Sequence, residues 1–128
     1  MTANNQFEHV TTNAAVKVYE SSKPIFEGVL GEVRELSRKK PDAIMSSGKV
    51  KIINRILDDL LSILGNEPEG KYLEILNDEA LPQVSDAVLT MVQFETSLAA
   101  FKGRYYRYVE GVRYWITSEL LAAWKKRR

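Results

Sequence analysis

RYYRYVEGVRYW, residues 104–115, lies within a stretch from Val84 to Arg128 that contains no proline and eight basic side chains. From Ser85 a helical period returns along it at Val88, Met91, Leu98, Phe101 or Lys102, Tyr105, Val109, Val112, Ile116 and Leu120. That period predicts a helix. Unbroken, it would be about 60 Å long at 1.5 Å per residue, more than a compact domain of this size spans. Gly103 and Gly111 each weaken a helix by about 1 kcal/mol relative to alanine, which marks one of them as the place for a bend or break. Without a break, the far end needs a second chain.

On that helix Tyr105, Tyr108, Val109, Val112, Trp115 and Ile116 are directed inward, and Arg104, Arg107, Arg113 and Tyr114 more outward. Arginine beside aromatic rings suits a carboxylate-rich protein partner, or phosphate contact with base stacking. Lys125, Lys126, Arg127 and Arg128 add charge at the end, where cations also complement the helix dipole. The candidate interface is therefore Arg104, Arg107, Tyr108, Arg113, Tyr114, Lys125, Lys126, Arg127 and Arg128. Against it stands the plainer account, in which the aromatics are core and the arginines pair with acids elsewhere in the chain.

Upstream, Thr12 or Asn13 can cap a helix on which Ala15, Val18, Ser22, Ile25, Val29, Val33 and Leu36 form one face. Pro24 kinks or divides it, and Pro41 ends it after Arg38, Lys39 and Lys40. The next helix has the clearest signal, with Ser46 or Ser47 as cap and Val50, Ile53, Leu57, Leu60 and Leu64 as its stripe. Ile52, Ile56 and Ile63 widen that stripe, which implies burial on more than one side. Gly65 and Asn66 end it. Pro68 opens a short helix that turns Tyr72, Leu73 and Leu76 inward, and a loop runs to Pro82. Strand-like alternation is absent apart from short runs such as Val50 to Ile53. The reading is an all-α fold, a four- to five-helix bundle with a long, bendable C-terminal helix, comprising a flexible tail over 1–11 and a single domain over 12–128.

Net charge is +1 but unevenly spread, with −2 over residues 1–33, +5 over 34–55, −8 over 56–95 and +6 over 96–128. Such blocks can neutralise each other within the bundle or face different partners. The chain has no cysteine, which excludes disulfides, thiolate metal sites and cysteine nucleophiles. The opening residues MTANNQFEHV lack the apolar core of a secretory signal and the arginines of a transit peptide, and no apolar run is long enough for a membrane span. Cytoplasmic residence is the expectation.

Catalytic constellations lack their parts. His9 is the one histidine, so histidine-based triads and metal sites cannot be assembled. Paired carboxylates that hold magnesium in helical nucleotide hydrolases find only a partial counterpart in Glu32 and Glu35 with Asp58 and Asp59, because neighbouring aspartates point about 100° apart on a helix. Ser46-Ser47-Gly48-Lys49 lacks the upstream glycine of a phosphate-binding loop, and serves as a cap and turn. No cofactor and no metal are expected. The leading function is a non-enzymatic interaction protein, a homo-oligomer or small subunit of a larger assembly, that uses the C-terminal segment. Nucleic-acid binding through basic blocks 34–55 and 102–128 is the alternative, and metal-dependent nucleotide hydrolysis a remote one. No membrane partner is expected.

Overall fold

Thr12 stands in extended backbone with its hydroxyl accepting the Ala15 N–H, and a helix, α1 (Asn13–Lys39), starts there. It runs through Pro24 as one element. The proline removes the donor for the Glu20 carbonyl, a loss tolerated where Glu20 and Pro24 are both exposed to water. The computed structural model describes residues 7–127.

α2 (Ser47–Leu64) begins on the Ser46 hydroxyl, which accepts the Lys49 N–H at 3.2 Å. Its predicted stripe, Val50, Ile53, Leu57, Leu60 and Leu64, is buried throughout. A 3-10 turn (Pro68–Tyr72) then folds back on the end of α2. Gly70 is essential to that approach, since a Cβ there would lie 2.5 Å from the carbonyl oxygens of Leu64 and Gly65. Leu73 and Leu76 are buried as expected, whereas Tyr72 is exposed because a 3-10 turn rotates it away from the face an α-helix would give it. Asn54 holds the segment in place. Its side-chain amide donates to the Leu76 carbonyl and its carbonyl accepts the Leu76 N–H, both at 2.9 Å.

α3 (Val84–Tyr105) completes the body, with Met91, Phe94, Leu98 and Phe101 packed against Phe26 and Leu30 of α1 and Ile53, Leu57 and Leu60 of α2 in one core. The loops before α2 and α3 are stitched together by Met45 N–H to Pro82 O and Val84 N–H to Ala43 O. The face of α1 differs from expectation. Val16, Tyr19, Phe26 and Leu30 are buried beside Ser22 and Val33, while Ile25 is exposed. Two adjacent stripes of α1 are apolar, and the one carrying the two large rings, Tyr19 and Phe26, takes the core.

The C-terminal third departs furthest from the helical reading. α3 ends at Tyr105, and the chain continues as an antiparallel hairpin, β1 (Tyr106–Val109) and β2 (Val112–Trp115), followed by a short helix, α4 (Ser118–Lys126). The fold is mostly helical but not all-α, and it has no long C-terminal helix. Gly111 does break the segment, though as part of a turn. Glu110 and Gly111 both have positive φ, 51° and 84°, which matches the two-residue hairpin turn whose twist suits paired strands. No helix among the described residues is long and apolar enough to cross a membrane.

Candidate binding surface on the hairpin and last helix

The hairpin is anchored before it becomes a surface. Ile116 donates its N–H to the Tyr105 carbonyl, and Thr11, at the end of the segment expected to be a loose tail, bonds Ile116 O and Ser118 N–H on either side of Thr117. α1 and α4 therefore start side by side. Glu119 serves both starts, accepting the Asn13 N–H at 3.1 Å, and backbone N–H bonds from itself and Asn13 hold its carboxyl below the usual range. Trp115 packs inward against Tyr19, 5.1 Å between centroids, and Tyr106, also 5.1 Å.

The ladder pairs Tyr106 with Trp115, Arg107 with Tyr114 and Tyr108 with Arg113. Side chains alternate across a strand, so Tyr106, Tyr108, Arg113 and Trp115 share one face and Arg107, Val109, Val112 and Tyr114 the other. On the first face the Arg113 guanidinium lies 4.1 Å from the Tyr108 ring centroid and 5.6 Å from that of Tyr106. Tyr108 is 63% exposed, contrary to its inward assignment. On the second face Tyr114 is half-buried, edge-on to Trp124 of α4 at 5.3 Å, and Trp124 also meets Phe7.

Arg104 does not belong to this surface. The last turn of α3 points its guanidinium at the 3-10 turn, where it donates to Glu67 and Glu69, each at 2.5 Å, with only 18% of its side chain exposed. The Tyr105 hydroxyl donates to the same Glu67 carboxylate at 2.9 Å. Hydrogen bonding to Arg104 holds the Glu69 carboxyl below its usual range, and the bond to Glu69 pushes the guanidinium further up. Burial, followed by the bond to Glu67, pushes the Tyr105 hydroxyl up to about 12. Here the basic C-terminal block does pair with the acidic 56–95 block, as Arg34 of the other basic block does with Glu95 at 3.0 Å.

Arg107, Arg113, Lys125, Lys126 and Arg127 are exposed, and none has a carboxylate within 4.0 Å among the described residues. Arg128 lies outside the described residues. The structure thus separates the sequence candidates into a sequestered arginine and an open cationic end. Glu67, Glu69 and Asn54 were not singled out from the sequence, because their partners lie 22 to 38 residues away and no local spacing links them.

Among the described residues, no three His, Cys, Asp or Glu side chains gather as a metal-holding group, so Glu32, Glu35, Asp58 and Asp59 form no joint site. No protein-family model matches the chain, and neither curated proteins nor solved structures yield a match.

Proposed function

We propose that the protein is a non-enzymatic interaction module that engages an acidic protein partner through the hairpin and α4. The observation that carries this reading is the contrast between Arg104, neutralised by two carboxylates, and the exposed cations Arg107, Arg113, Lys125, Lys126 and Arg127, which have no such partner among the described residues. An unneutralised cluster of one sign steers a complementary partner and fixes its orientation. Exposed arginine and tyrosine are the side chains that most often anchor such contacts.

A second reading, nucleic-acid binding, has its own support in the Arg113–Tyr108 stack on a two-stranded ribbon. A major groove admits such a ribbon, and an exposed ring can stack on a base. Affinity capture from the native host, with and without nuclease, distinguishes the two. The leading reading expects a nuclease-resistant partner that the Arg107→Glu/Arg113→Glu variant no longer retains. A partner retained equally by that variant overturns the surface assignment. Nuclease-sensitive capture, with binding that falls steeply as salt rises, replaces the protein partner with nucleic acid.

A further inference from the structure

The face of α1 that the core does not use is apolar, and it continues onto α2. Ile25 is 58% exposed and Ile52 55% exposed, while Val29, Leu36 and Ile56 are only partly covered. These side chains lie along the seam between the helices. Val29, Leu36, Met45 and Ile52 line an open depression of about 300 Å³ there, with Glu32 and Lys49 as its charged members. α2 returns along α1, so counting outward from the connection between them puts Leu36 level with Met45, Glu32 with Lys49 and Val29 with Ile52, and the four-residue spacing puts Ile25 and Ile56 one turn further on. An apolar strip rimmed by charge is what an interface presents before it is covered.

We propose that a second copy of this chain covers it, related by a two-fold axis that runs along the seam. Such an axis lays α1 of one copy over α2 of the other, and residues that are neighbours across the seam in one chain become partners between chains. Val29 then meets Ile52 of the second copy, and Ile25 meets Ile56. Glu32 meets Lys49 in both directions, and neither residue has an ion pair within the chain among the described residues. Self-complementary charge at matched height is the feature that selects a copy of this chain as the occupant. The 18 residues of α2 set a length of about 27 Å, and two helices a width of about 20 Å. That footprint, on the order of 500 Å² before side-chain relief, approaches the roughly 800 Å² of accessible surface per partner in a standard interface. Isoleucine at 52, which the monomer leaves 55% exposed, is accounted for.

This surface is separate from the hairpin, and sedimentation velocity over a concentration series tests it with the intact chain. The wild type is expected to dimerise, and Ile52→Glu to weaken the dimer by about tenfold or more because a carboxylate would be buried among apolar groups. Glu32→Lys and Lys49→Glu are each expected to weaken it by about two- to fivefold, and the two together to restore it. The hairpin variant Arg107→Glu/Arg113→Glu should dimerise as the wild type does, so the two surfaces stand or fall separately. A wild type that stays monomeric, a dimer that survives Ile52→Glu, or a double charge swap that fails to restore association overturns the proposal. Ile52 is exposed in the monomer, so an unchanged helical circular dichroism spectrum is the control for folding.

Discussion

The end of α3 and the hairpin that follows it draw on the same residue types, arginine and tyrosine, and put them to opposite uses. At the helix end, Arg104 and Tyr105 converge on Glu67, whose side chain is only 12% exposed, and the charges are spent inside the molecule. A few residues later Arg113 lies over Tyr108, with no carboxylate within 4.0 Å among the described residues and the ring largely open to water. Residue type did not decide these outcomes. The difference is what lies opposite: the 3-10 turn, drawn in by Gly70, delivers two carboxylates to α3, whereas the hairpin is met by aromatic rings, Tyr19 of α1 and Trp124 of α4.

Truncating each arginine in turn tests the difference directly. Arg104→Ala leaves Glu67 and Glu69 without their cation in a half-buried site, and should cost about 2–3 kcal/mol in urea unfolding. Arg113→Ala removes only the exposed cation–ring contacts to Tyr108 and Tyr106 and should cost about 1 kcal/mol or less. Equal losses would show that the two regions are not differently built. The hairpin turn is open to the same kind of test. Gly111→Ala places a Cβ at φ 84° and should weaken the hairpin by about 1–2 kcal/mol, whereas Glu110→Asn, better suited to positive φ, should gain up to about 1 kcal/mol. Amide exchange across β1 and β2 would register both changes while α2 stays protected.

The pH dependence separates the two regions as well. Tyr105 titrates at about 12 in the folded chain against about 10 unfolded, so the neutral hydroxyl contributes stability fully below pH 10 that is lost as pH rises toward 12. Denaturation midpoints across that window should slope downward in the wild type, with a shallower slope in Tyr105→Phe. Glu69 acts at the other end of the scale. Its carboxyl is held below its usual range, so its contribution is present above that range and declines as pH falls through the lowered folded value.

Where local signals agreed, they were sufficient. α2 combines a serine cap, five stripe residues and a glycine end, and each supports the same helix. The hairpin was hidden because its strands have only four residues each, too few for alternation to be told from a helical period that Tyr105, Val109, Val112 and Ile116 also satisfy. The available signal was the density of tyrosine, valine and tryptophan around a two-residue turn ending in glycine. The inward position of Arg104 could not be read locally, since its acids come from another element. On α1, the period was right and the choice between two apolar stripes was not, because only packing decides which of them the core takes.

Asn54 carries a consequence for how the chain opens. By binding both the N–H and the C=O of Leu76, its side chain acts as a neighbouring strand would, although Leu76 belongs to no repeating element. The amide at Leu76 is therefore tied to the persistence of α2 and should exchange with solvent at the pace of that helix, more slowly than the Glu79 and Ala80 amides, which only the exposed Asn77 side chain holds. A stretch that looks like a connector would then behave in its opening kinetics as an outlying part of α2.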